Sequence, residues 1–594
     1  MMTGRRKDPI WNYFIEIKDK NKTTRAKCLK CSMEMAGLVM RMKLHKNKCI
    51  SILEDSIVDE PENDQLTGDP GDGLGGPTTK RPCSSSLLDT GGSLNLEGSS
   101  SCKKSSSMNT FIYRTSPSEK IKLDHQIAKY IYATNSSFSY VEHPEFKRMI
   151  EMLRPGYIPP NRDNIGNKLL NETFVTIDQE IRNILKGKSV CLAMDGWSNI
   201  HNEPIICISC YSPTDDVVCL IDTIETQENS HTSQYLLKII IESVKKCKEI
   251  GCDVRSVVTD NAANMSKMRQ ELSNSELNDG STSSGYFDIL TYGCSAHILN
   301  LLAHDVNEKS IKDNVKEIVK YFKYHHLPAA KYKALGGKAL ILPIDVRWNT
   351  LYDCLKSYID NWHIIYQVCS ENRSAIENKI LKLVHDVELK NNTETYLIKL
   401  KNISTALDIT QKNSCTIGES VEVWLRLKTF FESECDDNDI QKFKNRFNMA
   451  MTPAHFLANL LHPQYRGLQL SEEQHDAAFN YANLYHPNVV NEIISFQAQS
   501  LPFKEYLFND NAINNISALT WWTSLKKQSK LSKDMEYLVE QLFTAICSSA
   551  GIERVFSTFG YIHSKTRNRL GVAKASKLVT IFKHLNTKNQ TNNL

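Results

Sequence analysis

The chain has 594 residues, 41% hydrophobic, 8% aromatic and 24% charged; this globular composition excludes a fibrous or wholly disordered protein, and the length excludes a single compact core. No apolar run approaches the roughly 18 uncharged residues of a membrane helix, and Arg5, Arg6 and Lys7 have no apolar stretch behind them, so a soluble intracellular protein with reduced thiols is expected. Net charge is +4, yet residues 1–49 hold 13 Lys and Arg against 4 Asp and Glu. A short basic module on a near-neutral body suits phosphate neutralisation, although a solvated basic surface would give the same count.

Within that module Cys28 and Cys31 form a CxxC, and after thirteen intervening residues His45 and Cys49 form an HxxxC. Three thiolates and one imidazole at this spacing can close a tetrahedron around a structural Zn²⁺. A segment of about fifty residues is too small to fold on apolar burial alone, so the metal supplies folding free energy beside a small core under Trp11 and Phe14. Arg41, Lys43, Lys46 and Lys48 lie around the second ligand pair on a predicted helix, where a finger presents side chains to a groove of double-stranded DNA. Residues 6–50 together resemble a BED-type zinc finger.

From 51 to 118 the composition changes: 33 of 68 residues are Gly, Pro, Ser or Thr, and eight acidic residues precede Lys80 with no basic residue among them. This reads as an extended acidic linker. Residues 119–185 read as a helical lead-in, with an amphipathic stretch from Ile121 to Ala133 and breaks at Pro144, Pro155, Pro159 and Pro160.

Strand patterns follow. Lys188–Asp195 is an apolar run ending in a carboxylate, Pro204–Tyr211 and Val217–Ile224 are spaced as hairpin partners, Ser233–Ile250 is helical, and Val254–Asp260 again ends in a carboxylate. Cys207 and Cys210, three apart on a strand, face opposite sides and cannot chelate one metal. The order β-β-β-α-β with an Asp on the first and fourth strands is the skeleton of a ribonuclease H-like fold. Neighbouring strand ends would bring Asp195 and Asp260 together, and with a third carboxylate they could hold Mg²⁺ for phosphodiester chemistry. An Asp at a strand end is also a common turn or helix cap.

Thr291–Asn300 reads as a fifth strand running into an apolar helix; its lone CxxH, Cys294 and His297, suits a structural role or a DNA contact rather than a metal. Arg347 and Trp348 could pair with a phosphate and stack on an unpaired base, against the ordinary reading of a buried Trp. From 311 to 538 helical periodicity dominates, as in an all-helical insertion. Glu553 then opens an amphipathic helix after a Ser-Ser-Ala-Gly cap, which could set its carboxylate beside the two aspartates.

Three motifs in order make the chain from about 120 to its end resemble a hAT-superfamily transposase: Phe138–Phe146 is similar to the family's SFxxVEHPxF, Asp345–Thr350 to its TRWNS, and Ser548–Leu570 to its SERxFS block. The resemblance implies a DDE triad of Asp195, Asp260 and Glu553 with Mg²⁺. It matches Cys294 and His297 to the family's CxxH and Trp348 to the aromatic that steadies flipped flanking DNA. It also implies a dimerisation region at about 501–586, hence a homodimer or larger assembly, and excision that leaves hairpins on the donor flanks.

The expected architecture is multidomain α+β: a small zinc finger, then a ribonuclease H-like catalytic fold in two parts (186–310 and 539–594), interrupted by the helical insertion. Nuclear localisation is expected, with no membrane or small-molecule partner. Two departures stand out: Ile552 occupies a usual Ser, and Leu461–Tyr465 stands where an LDPRY-like run is common. The alternative is a domesticated, catalytically inactive copy acting as a dimeric zinc-finger regulator of transcription.

Overall fold

The computed structural model describes residues 9–18, 24–36, 39, 41–42, 45–46, 115–226, 229–274, 289–343 and 349–591. The expected linker up to residue 114, Lys43, Lys48, Cys49, Arg347 and Trp348 therefore lie outside the described residues. The chain is α+β and mostly helical, in two compact units, Met1–Ser105 and Ser106–Leu594.

The first unit contains an antiparallel meander of β1 (Phe14–Lys18), β2 (Thr24–Cys28) and β3 (Glu34–Ala36). Strand alternation turns Phe14 inward and leaves Ile15 exposed. Phe14, paired in register with Cys28, joins Ile10, Ala26 and Met42 in a small core, with Trp11, Met35 and Val39 packed against it.

In the second unit α1 (Pro117–Ala133) begins inside the stretch whose composition reads as linker. Ser116 and Glu119 make a reciprocal capping box and Pro117 occupies the first turn, a start signal stronger than the surrounding Ser content. After α2 (Lys168–Leu185) comes a five-stranded sheet of β4 (Ser189–Ser198), β5 (Pro204–Ser212), β6 (Val217–Glu225), β7 (Asp253–Thr259) and β8 (Leu290–Gly293), in the order β6-β5-β4-β7-β8. The pairs β4–β5 and β5–β6 are antiparallel, whereas β4–β7 and β7–β8 are parallel. The parallel step from β6 to β7 needs a crossover helix, supplied by α3 (Ser233–Ile250), which ends at Gly251 in the left-handed conformation at φ 89°. A second helix, α4 (Ala263–Asn274), follows β7. Asp195 lies inside β4 rather than at its end, because Gly196, Trp197 and Ser198 continue the ladder against Ile206, Ile205 and Pro204.

Beyond β8 come α5 (Ser295–Asp305), α6 (Lys309–Tyr324), α7 (His326–Ala334), α8 (Val387–Thr410) and α9 (Ile417–Glu434), with further helices to α10 (Lys533–Thr544). No strand interrupts the described residues of this stretch. The chain then returns to the sheet: α10 packs on β4 and β7, α11 (Ala550–Ile562) on β4 and β5, and α12 (Val572–Thr591) on β6 and against α1 and α2.

The helical layer grips the sheet through buried polar contacts. The Trp424 indole Nε1 donates to Ser295 Oγ at 2.7 Å, and its ring packs between Phe443 and Phe447. Trp424→Phe removes that donor and leaves a void, so an unfolding free energy lower by about 2–4 kcal/mol is expected in denaturant titrations.

Candidate active site and metal centre

Asp195 and Asp260 meet because β4 and β7 run parallel. The last register pair is Met194 with Thr259, so one further step sets Asp195 opposite Asp260. Asp195 Oδ1 accepts the Gly196 N–H at 2.8 Å, and Asp260 Oδ1 accepts the Ala262 N–H at 3.1 Å as the chain turns into α4.

Four side chains fix this turn. Arg269 Nη1 donates to the Asp260 carbonyl at 2.6 Å and to Thr259 Oγ1, while Nη2 donates to Asn261 Oδ1 at 3.3 Å. Asn261 Nδ2 in turn donates to the Cys294 carbonyl at 3.1 Å. Gly293 is required for that approach, since a Cβ there would stand 1.8 Å from Asn261 Oδ1. Cys294 donates its N–H to the Thr259 carbonyl at 2.7 Å, and its buried thiol accepts the Ser549 N–H at 3.4 Å. The CxxH is thus partly structural: Cys294 ties β7 to the start of the Glu553 helix, while His297 sits half-buried on α5.

Glu553 lies in the first turn of α11, where a carboxylate favours the helix dipole. Ile552, Val555, Phe559 and Ile562 form the buried stripe of this helix, leaving Glu553 and Arg554 exposed. The expected serine cap is absent, because the Ser549 side chain makes no cap hydrogen bond and the Ser548 hydroxyl donates instead to the Thr410 carbonyl at 2.6 Å. Trp197 anchors the helix to the sheet, stacked on Phe556 at 5.7 Å and edge-on to Phe559 at 5.2 Å. Trp197 is two residues from Asp195 and so shares its strand face, and Phe556 is one turn from Glu553. One aromatic contact therefore ties the strand carrying Asp195 to the helix carrying Glu553.

Asp195, Asp260 and Glu553 do not bring their carboxylate oxygens all within 4.8 Å of one another, but Asp195 feels the other two. Burial, then the charge of Asp260, and also that of Glu553, push the Asp195 carboxyl up to about 7 against the pull of the Gly196 N–H.

In the first unit, Cys28, Cys31 and His45 bring their donor atoms within 4.8 Å of one another, the one such group of three among the described residues. Cys31 Sγ and His45 Nε2 are 3.2 Å apart, and His45 packs edge-on to Phe14 at 5.9 Å. Burial works to raise the Cys28 thiol, but hydrogen bonds from the Cys31 and Lys30 backbone and from His45 bring it down to about 6. A thiol that ionises easily beside a second thiol and an imidazole is the donor set zinc prefers. Arg41 is exposed and helical, whereas Lys46 is half-buried with Nζ 3.3 Å over the Tyr13 ring.

Residues 500–585 match the hAT family C-terminal dimerisation region. That stretch contains α10 and α11 and therefore Glu553. A protein of Talaromyces stipitatus named as a transcriptional regulator, tpeD, is 25% identical over 190 residues, covering 30% of this chain and 22% of the relative. The chain thus spans about a fifth of the length of that relative. Among solved structures, the Drosophila P element transposase strand transfer complex aligns over 72% of this chain and 93% of that chain at 11% identity, with a TM-score of 0.27. Among the described residues no helix is long and apolar enough to cross a membrane.

Because the Asp195 carboxyl is raised, the folded state holds more protons than the unfolded state between about pH 4 and pH 7, so metal-free stability falls as pH rises through that window. Asp195→Asn removes the penalty: it is expected to be more stable than wild type by about 1–3 kcal/mol at pH 8 and indistinguishable near pH 4, in thermal melts with chelator present. For the first unit, Cys28→Ser or a strong chelator is expected to open residues 9–46 to protease while 115–591 stay resistant, with one zinc per chain lost by elemental analysis.

Proposed function

We propose that this chain is a DNA transposase of hAT type that cuts and joins phosphodiester bonds at Asp195, Asp260 and Glu553. The observation that supports the proposal is the parallel register of β4 and β7, which sets Asp195 opposite Asp260, with the charge of Glu553 on α11 also felt at Asp195. Three antiparallel strands followed by two parallel ones, in the order β6-β5-β4-β7-β8, support a ribonuclease H-like reading of the sheet. The helices between β8 and α10 are then an insertion and α10–α12 the returning part of the catalytic fold. The match of 500–585 to a hAT dimerisation region supports both the family and a homodimer.

Asp195, Asp260 and Glu553 would hold Mg²⁺, which supplies charge neutralisation and a more acidic bound oxygen. The chain's own contribution is position. The ladder register fixes the two aspartates, Arg269 and Asn261 hold the turn after β7, and the Trp197–Phe556 stack holds the helix. Cys28, Cys31 and His45, with Cys49 as fourth ligand, would make the BED-type finger around Zn²⁺. Arg41, Lys43, Lys46 and Lys48 would face double-stranded DNA, joined at the catalytic centre by His297, Arg347 and Trp348. The place of work is then the nucleus.

A second reading, a DNA-binding regulator without cutting activity, draws on the likeness to tpeD. The departures from the family pattern do not touch the carboxylates: Ile552 is fully buried in the α11 stripe, and His462 is a core residue stacked on Tyr465, pushed down to about 3 by burial.

The two readings separate in a cleavage assay on duplexes bearing the flanking ends of the gene, with Mg²⁺ or Mn²⁺. Nicking and hairpin formation by wild type are expected to fall by about 10²–10⁴-fold in Asp195→Ala, Asp260→Ala and Glu553→Ala. A wild-type protein that binds those ends without ever cutting them would leave the regulator.

A further inference from the structure

A one-signed surface of the second unit lies on the helices that follow β8. Between Lys309 and Lys338 the sequence carries eight lysines against two acidic residues. On α6 the lysines fall at 309, 312, 316, 320 and 323, steps of three and four that keep all five within about 80° of the helix circumference. The opposite side is the buried stripe of Ile311, Val315, Ile318 and Phe322, so packing against the core forces the lysines outward. The stripe is about 21 Å long at 1.5 Å per residue. On α7, Lys331 and Lys333 are also exposed, two positions apart and so on different sides of that helix.

Lys312 and Lys316 are half-buried and make interactions of their own, while Lys309, Lys320 and Lys323 are exposed. Glu317 is engaged by Lys379 at 2.6 Å, and Lys323 donates to the Leu340 carbonyl at 2.8 Å. Asp313 is the other carboxylate on α6. Lys309, Lys320, Lys331 and Lys333 are exposed, and no ion pair engages them among the described residues. A face kept charged only for solubility intersperses both signs, whereas a single-sign line of this length attracts a linear polyanion. At the corner between the helices Tyr324 and Leu327 are 69% and 41% exposed, giving the charged line an apolar end that can lie against sugar and base edges.

We propose that this lysine stripe is a docking surface for the phosphate backbone of duplex DNA, holding a segment of the duplex independently of base sequence. The inference rests on the DNA-handling function proposed above and deepens it by naming where the body of the protein, apart from its N-terminal finger, grips the double helix.

The test is the salt dependence of duplex binding by the full chain, followed by fluorescence anisotropy on a linear duplex of arbitrary sequence across a range of KCl concentrations. Each phosphate contact adds about 0.9 to the slope of log K against log salt. The quadruple variant Lys309→Gln, Lys320→Gln, Lys331→Gln and Lys333→Gln is expected to lower that slope by about 3 to 4, and the same four positions changed to Arg to restore it. Restoration by Arg excludes misfolding as the cause. An unchanged slope in the Gln variant, with wild type binding steeply, overturns the docking surface and leaves the transposase reading standing. A wild-type chain that binds no duplex overturns both.

Discussion

Asp195 inside β4 and Asp260 just beyond the end of β7 carry like charges, Glu553 on α11 adds to them, and the packing of α11 on the sheet holds these elements in place. Burial of the Asp195 carboxyl, and then the charges of Asp260 and Glu553, oppose its ionisation, at a cost on the order of 1–3 kcal/mol. The opposing term is apolar: Ile552, Val555, Phe559 and Ile562 on α11 are each fully buried, and at roughly 1.5–3 kcal/mol per side chain their burial exceeds the penalty several-fold. Strain of this kind persists only where neighbouring packing over-determines it.

The run 545–549 is where sheet and helical layer share one strand of chain. Tyr292 Oη donates to the Ile546 carbonyl at 2.7 Å and Ser295 N–H to the Cys547 carbonyl at 2.9 Å, both from the sheet side. From the helical side, Ile417 N–H donates to the Ala545 carbonyl at 3.0 Å, Cys547 N–H to the Cys415 carbonyl at 2.9 Å, and Ser548 Oγ to the Thr410 carbonyl. Arg554, next to Glu553, reaches back to the Gln411 carbonyl at 3.0 Å. The third carboxylate therefore takes its position from the turn between α8 and α9 as much as from the sheet.

Much of this was legible locally. The strands and α3 were visible because alternation and the 3.6-residue period are properties of neighbours in sequence, and the meeting of Asp195 with Asp260 follows once β4 and β7 are adjacent and parallel. Other features depended on partners far along the chain. Gly196-Trp197-Ser198 reads as a strand end, yet pairing with Ile205 and Ile206 carries β4 through it. Ser549 has the residue type of a helix cap, but Ser548 is drawn away by Thr410, 138 positions earlier. Arg269 and Asn261 carry no local signal, since their work is defined by Asp260 and Gly293. Trp197 could have been found, because the two-residue period of a strand puts it on the face of Asp195. In the finger, spacing alone named Cys28, Cys31 and His45, the group that the fold brings together.

The distance along the chain between the second and third carboxylates has a consequence for biosynthesis. Glu553 follows Asp260 by 293 residues, which at about 5–20 residues per second is roughly 15–60 s of translation. Through that interval the ribosome carries a sheet with two of its three acidic groups and no α11 to cover Trp197. A growing polypeptide therefore lacks the third carboxylate, and the helix that carries it, until the segment of α11 has been made.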